Sequence, residues 1–263
     1  MAKIGFIGTG NMATALIRTM KDKNEIISSD KNEEKLQKAK KELCIKTTTN
    51  NNEVAKTSEI IFLCAKSDSI KEILEEIKSN IENQIIVSIA AGIKIKFIES
   101  IVGKDKKIMR VMPNLNCTAA EMAAAFSCNK NLKADEKESI SSLLNKAGIA
   151  LEVKEEKMDA VTALSGSAPA FIAYILDTFA KAGEKQGLSE EISYKLALQT
   201  LFGTAKLLKE TDEKPDSFIK RVASPNGTTI AGLDVLEKSE IRSIMEKTIE
   251  AAAKRSKELG KDG

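Results

Sequence analysis

Histidine and tryptophan are both absent from this 263-residue sequence. Without histidine there is no Ser-His-Asp hydrolase here, and no dehydrogenase that passes an alcohol proton through a His-Asp pair. Any acid-base group must be Lys, Asp, Glu, Tyr, a hydroxyl or the substrate itself. The usual zinc ligand sets are missing too, because Cys44, Cys64, Cys117 and Cys128 show no C-x-x-C spacing. No metal site is expected, and the cysteines read as small buried residues of a reducing cytosol. Neither charge sign dominates: 41 basic residues face 38 acidic ones, and the lysines are scattered among glutamates. That excludes a nucleic-acid footprint. No uninterrupted apolar run reaches roughly 18 residues, and the first residues read as a strand instead of a signal peptide. A cytoplasmic protein without membrane or nucleic-acid partners is expected.

What is present is a chain long enough for one large or two moderate domains. Apolar strand candidates at Lys3 to Ile7, Ile26 to Ser29, Ile45 to Thr48, Ile60 to Ala65, Ile85 to Ala90 and Lys107 to Met112 alternate with polar helical stretches such as Glu33 to Leu43 and Ser69 to Ile81. This is the pattern of an α/β, Rossmann-type doubly wound parallel sheet. Two more strands, Met122 to Cys128 and Ile149 to Val153, flank a helix near Asp135 to Ala147 and extend it. After Lys157 the strand signal stops. Amphipathic runs at Pro169 to Lys185, Glu190 to Leu208, Pro215 to Val222 and Ser239 to Leu259 make the remainder all-α. The expected division is residues 1–158 for a dinucleotide-binding domain and 159–263 for a helical substrate-binding and dimerisation domain, whose leftover apolar stripe suits a second copy.

The first strand runs directly into Gly8-Thr9-Gly10-Asn11-Met12-Ala13 and then a helical segment. In that setting Gly8 permits the tight turn, Gly10 lets the backbone approach a pyrophosphate, and Ala13 keeps the helix close to the sheet. The competing reading is a strand-to-helix turn with no ligand. Asp30 follows Gly10 by 20 positions, at the end of the second strand. An acid there suits the ribose hydroxyls of NADH and repels the extra phosphate of NADPH. Lys31, Ser28 and Ser29 could still hold that phosphate, so the expectation is NADPH or NADH with a lean toward NADH.

A second motif, Ser224-Pro225-Asn226-Gly227-Thr228-Thr229, opens an apolar helix. Proline starts the turn, Asn and Gly tolerate positive φ, and the helix start offers orphan N–H groups to a carboxylate or phosphate. An ordinary helix cap would use the same residue types.

Along nearly its full length the chain resembles pyrroline-5-carboxylate reductase. The resemblance rests on the glycine motif, Lys66, Ala90-Ala91-Gly92-Ile93, Arg110-Val111-Met112-Pro113-Asn114, the run from Met158 to Ala170 containing Ser165-Gly166-Ser167-Ala168-Pro169, and the Ser224 to Thr229 loop. It implies hydride reduction of the ring C=N of pyrroline-5-carboxylate to L-proline by NADPH or NADH. It implies that Ser224, Pro225, Asn226, Gly227, Thr228 and Thr229 bind the substrate, the Thr229 hydroxyl approaching the ring nitrogen as the catalytic contact. For the cofactor it implies Gly8, Gly10, Asn11 and Met12, then Ser29, Asp30 and Lys31. Ala65-Lys66, Ala91-Gly92 and Pro113-Asn114, at three further strand ends, complete that set. It also implies a homodimer or higher homo-oligomer whose active site borrows residues from a neighbouring chain. A protonated imine is already electrophilic, which fits the absence of histidine. The chain departs from the family at Ser67 (usually Pro), Ala168 and Asn226 (usually Gly), and across Leu115 to Met122. Two other classes remain open. A reductase of another cyclic imine or of a hydroxy acid is one, although a β-hydroxyacid dehydrogenase should carry a lysine soon after Ser165-Gly166-Ser167 and none follows before Lys181. The other is a non-catalytic dinucleotide sensor, which has no use for a carboxylate cradle.

Overall fold

The computed structural model describes residues 1–260. Eight strands form one sheet in the order β3-β2-β1-β4-β5-β6-β7-β8. They are β1 (Lys3–Ile7), β2 (Glu25–Ser29), β3 (Lys46–Thr48), β4 (Ile60–Leu63), β5 (Ile85–Ser88), β6 (Lys107–Met112), β7 (Met122–Cys128) and β8 (Gly148–Glu152). Strands β4 and β5 are buried along their whole length. That explains why they read as unbroken apolar runs, as strands covered on both faces must.

All neighbours run parallel except β6 and β7, which pair antiparallel with Arg110 opposite Ser127. The short stretch between them, a 3-10 turn at Leu115–Ala119, cannot make the crossover that a parallel pair requires. The crossover helices are α1 (Asn11–Met20), α2 (Glu33–Leu43), α3 (Asn51–Thr57), α4 (Ser67–Ile77), α5 (Ile95–Val102) and α6 (Ala134–Asn145). Leu16, Ile17 and Met20 of α1 join Ile140 and Leu144 of α6 on one face of the sheet. Ile70 and Leu74 of α4 join Ile98 of α5 on the other. Helix α3 starts in an Asn-rich stretch that reads as loop by composition. The Asn50 side chain caps it, accepting from Asn52 N–H at 2.9 Å.

Six helices follow: α7 (Met158–Val161), α8 (Ala168–Glu184), α9 (Glu190–Thr211), α10 (Pro215–Val222), α11 (Thr228–Lys238) and α12 (Ile241–Leu259), with a π-helical turn at Thr162–Gly166 between the first two. By contact the described chain separates into one unit of residues 1–167 plus 250–260 and a second of 168–249. In the second unit α8 and α9 pack closely, the Ser193 hydroxyl donating to the Ala180 carbonyl. The buried residues there are Ala180, Ser193 and Ala197, all small, whereas Tyr174 is 74%, Phe179 59% and Val235 69% exposed. A helical layer that buries no large side chain has no core of its own and needs an outside surface to cover it. The helical stretch Glu155–Glu184 is long and apolar enough, by length and composition, to cross a membrane. A count of uninterrupted apolar residues misses it, because occasional polar residues punctuate the helix.

Candidate active site

The strand order reverses between β1 and β4, and in open sheets ligands gather at the carboxyl ends of strands beside such a switch. A cavity of about 940 Å³ lies there, lined by Met12, Ala65, Lys66, Ala91, Met112 and Pro113 among others. Gly8 has φ +98°, and a Cβ on it would sit 2.8 Å from the carbonyl group of Cys64 at the end of β4. Only glycine satisfies both demands. Gly10 differs: its φ is −80° and a Cβ there would meet nothing within 4 Å. The space in front of it is open. Helix α1 starts at the next residue with no side-chain cap and no acid in its first turn, so its orphan N–H groups and positive dipole end face that space unsatisfied. These residues fit a dinucleotide diphosphate.

Asp30 is bound into the loops around it. Its Oδ2 accepts from Thr9 N–H at 2.8 Å and its Oδ1 from Asn32 N–H at 2.9 Å, tying the glycine loop to the β2–α2 turn. Each carboxylate oxygen keeps a lone pair for a ribose hydroxyl. The cation beside it is Lys35, at 4.0 Å; Lys31 instead pairs with Glu72 of α4 at 3.3 Å. Charge at the end of β2 is therefore partly neutralised, which weakens the argument for NADH from Asp30 alone. The serines also differ from expectation. Ser28 and Ser29 are fully buried. Ser28 shares a 2.7 Å hydrogen bond with the Thr9 hydroxyl, and Ser29 donates to Asn51 Oδ1 at 2.7 Å. Neither hydroxyl is presented to a phosphate; they brace the glycine loop and α3.

Around the rest of the cavity, the loops after β4, β5 and β6 are linked to their surroundings. Ser67 donates to the Ala91 carbonyl at 2.6 Å, so this departure from the family pattern is a rim tie between the β4 and β5 loops. Gly92 holds φ +78°. Asn114 is buried, and its amide is used twice: Nδ2 donates to the Ser165 carbonyl at 3.1 Å and Oδ1 accepts from Ala123 N–H at 3.1 Å. Pro169, four residues after Ser165, has no N–H to give that carbonyl. Asn114 supplies a donor there, so its side chain braces the Met112–Pro113 segment. Buried Arg110 is 3.3 Å from Glu155, whose carboxylate also accepts from Ile95 N–H at 2.8 Å. Glu155 thus serves α5, which lacks a side-chain cap of its own. Sequence reasoning named neither Ser67 nor Lys35 for the site, since their partners are distant in the chain or on another element.

Cys64 lines the cavity. Burial, and secondarily Cys117, pushes its thiol far above the ordinary range, and burial raises Cys117 to about 11. Both are neutral thiols, poor nucleophiles at neutral pH. Among the described residues no cluster of His, Cys, Asp or Glu could hold a metal ion.

In the second unit, Gly227 N–H donates to the Ser224 carbonyl at 3.0 Å, closing a turn with Pro225 second and Asn226 third at φ +58°. Asn accepts that angle with little strain, which is why it can stand where the family carries glycine. A Cβ on Gly227 would lie 2.5 Å from the Ser224 hydroxyl and 3.0 Å from its carbonyl oxygen. Gly227 is the N-cap of α11, again with no side-chain cap and no acid in the first turn. Thr228 is exposed and Thr229 half-buried. The helix start is open to an anion, with Thr229 one residue inside it.

Comparison with known proteins bears on both motifs. The family model for pyrroline-5-carboxylate reductase dimerisation matches residues 155–259, and that for coenzyme F420-dependent NADP oxidoreductases matches residues 3–92. The pyrroline-5-carboxylate reductase of Aquifex aeolicus is 38% identical over 260 residues, covering 98% of this chain and 97% of that protein. The Synechocystis enzyme of the same name is 36% identical, with 98% of both covered. Among solved structures, a pyrroline-5-carboxylate reductase from Coxiella burnetii superposes with TM-score 0.95 at 31% identity over 98% of each chain. The Plasmodium falciparum pyrroline carboxylate reductase, solved with NADP bound, gives 0.85 at 31% identity over 98% of each chain.

Proposed function

As a member of the pyrroline-5-carboxylate reductase family, this chain reduces 1-pyrroline-5-carboxylate to L-proline with NAD(P)H, and we propose which of its residues carry each part of that reaction. The observation that carries the assignment is the pair of uncapped helix starts, each opened by a glycine whose environment tolerates no larger residue or leaves space for a ligand.

At the first, Gly8, Gly10, Asn11 and Met12 hold the cofactor diphosphate against α1. Asp30 fixes the glycine loop and meets the ribose; Ala65-Lys66, Ala91-Gly92 and Pro113 line the nicotinamide end. When bound there, the nicotinamide supplies the hydride. At the second, the N–H groups of α11 following Ser224-Pro225-Asn226-Gly227 hold the substrate carboxylate, each charge-assisted bond contributing about 1.5–3 kcal/mol. The Thr229 hydroxyl faces the ring nitrogen. Hydride adds to the ring carbon, the C=N π pair moves onto nitrogen, and the proton already on the iminium stays as the N–H of proline. No protein acid is consumed, so a chain without histidine can do this chemistry. Catalysis rests on positioning and on fixed dipoles.

The chain acts as a homo-oligomer on a small-molecule substrate. We place the functional boundary at residues 158 and 159. The exposed apolar side chains of α8 and α9 are covered by a second copy in a homodimer or larger assembly, which accounts for the apolar Glu155–Glu184 stretch without a membrane. All four cysteines are free thiols, as suits a cytoplasmic enzyme. The test is oxidation of NADH and of NADPH at neutral pH with pyrroline-5-carboxylate, beside a six-membered imine acid and a 2-keto acid. Turnover with the five-membered imine alone is expected; cofactor binding without turnover of any of the three overturns the assignment of residues to reaction.

A further inference from the structure

The last turn of α12 belongs to the cofactor cavity. Leu259 is one of the residues lining it, alongside Met12 and Ala91, although it lies more than 240 positions after the glycine loop. It is 52% exposed, so it presents apolar surface that none of the described residues covers. Two contacts hold this turn in place. Ser256 is buried, and its hydroxyl donates to Asp159 Oδ1 at 2.7 Å. Gly260 N–H closes the helix onto the Ser256 carbonyl at 3.1 Å. Gly260 also meets the Ala91–Gly92 turn backbone to backbone: a Cβ on Gly92 would lie 3.5 Å from Gly260, and one on Gly260 would lie 3.3 Å from the Gly92 carbonyl oxygen. The Ala91 carbonyl in that turn is the one held by Ser67. The end of α12 is thus fastened to α7 and seated on one of the cavity's own loops.

We propose that Leu259 is a cofactor-contact residue, packing its apolar side chain against bound NAD(P)H, and that Ser256 and Asp159 are positioning residues that hold it there. The inference rests on reading the cavity as the cofactor site. Binding a dinucleotide covers apolar surface that Leu259 exposes in the free chain, and removing three carbons from that contact weakens binding without touching the catalytic loop. Exposure at Leu259 means that truncating it leaves no cavity inside the protein.

The experiment is calorimetric titration of the full-length oligomeric enzyme with NADPH, paired with steady-state kinetics. Leu259→Ala is expected to raise the NADPH Kd and KM about threefold or more, with KM for pyrroline-5-carboxylate, oligomeric state and apo melting temperature unchanged. Asp159→Ala raises the NADPH Kd in the same direction. Asp159→Asn retains an acceptor oxygen for Ser256 and stays near wild type, which a merely electrostatic or bulk structural role for the acid would not produce. A smaller rise in Leu259→Ala overturns the contact, and equal losses in Asp159→Asn and Asp159→Ala overturn the latch. Gly10→Ala is measured beside them: if it leaves NADPH binding intact, the diphosphate placement on which the cofactor reading rests is wrong, whereas loss of binding in Gly10→Ala with none in Leu259→Ala removes this inference alone.

Discussion

Gly8 and Gly10 sit two residues apart in one loop, yet alanine should do opposite things at the two positions. At Gly10 the backbone is in a region open to any residue and the added Cβ has no neighbour within 4 Å. Reduced entropy of the unfolded chain favours the variant by about 0.4–1 kcal/mol, and the poorer N-cap opposes it by a few tenths to about 1 kcal/mol. The two offset, so the apo melting temperature of Gly10→Ala should stay within about 3 °C of wild type at roughly 2–4 °C per kcal/mol. The ligand response should not survive. With cofactor at about 100 times Kd, wild type gains about 2.7 kcal/mol, or roughly 5–11 °C. A Cβ in the space meant for the diphosphate should abolish most of that shift. Gly8→Ala is the contrasting case: strain at φ +98° and contact with the Cys64 backbone at 2.8 Å should together cost roughly 2–5 kcal/mol of stability even without ligand. Differential scanning fluorimetry of wild type and both variants, with and without NADPH, reads all six conditions. A Gly10→Ala enzyme that melts normally and still gains the full cofactor shift would refute the placement of the diphosphate.

Three further outcomes are expected. Asp30→Asn leaves one acceptor where Thr9 and Asn32 both donate; the unpaired N–H costs about 1–3 kcal/mol, so KM should rise for NADH and NADPH together, and a gain with NADPH alone would restore Asp30 as the residue that repels the extra phosphate. Thr229→Val should lower kcat by roughly 10- to 100-fold while substrate Kd changes little, the signature of a contact made at the reacting nitrogen; a loss confined to KM argues against it. Cys117 and Cys128, each raised to about 11 by burial, hold only about one thiolate in a thousand at pH 8. Because a raised pKa keeps the protonated form up to higher pH, iodoacetamide should label exposed Cys44 first, and activity should persist until the pH approaches the buried thiols' range; early inactivation with Cys64 labelled would contradict this.

The parts of the site that were legible in the sequence are those made by consecutive residues. Gly8 to Ala13 and Ser224 to Thr229 each carry turn, glycine and helix start within six positions, and the structure places each at the uncapped start of a helix. Side-chain roles were harder to read. Ser29 and Asn114 sit at strand ends, where ligands gather, and their side chains are tied to Asn51, Ser165 and Ala123. Lys31 follows the acid in sequence, but Lys35, one helical turn further, is the cation beside it. Position along a strand says which end a residue occupies and nothing about which partner claims its side chain.

By itself the sequence determined the alternation of strands and helices, the end of the strand signal near Lys157, the two glycine turns that open uncapped helices and the need for a mechanism without histidine. These follow from local periodicity, from backbone angles that only certain residues adopt, and from composition. Tertiary structure alone decided that β7 runs against β6, that Asp30 is a brace between two loops, that Ser67 ties the cavity rim, and that Leu259 reaches the cavity near Met12. Each of those depends on groups far apart in the chain competing for one hydrogen bond or one patch of apolar surface, and that competition is resolved only when the elements pack.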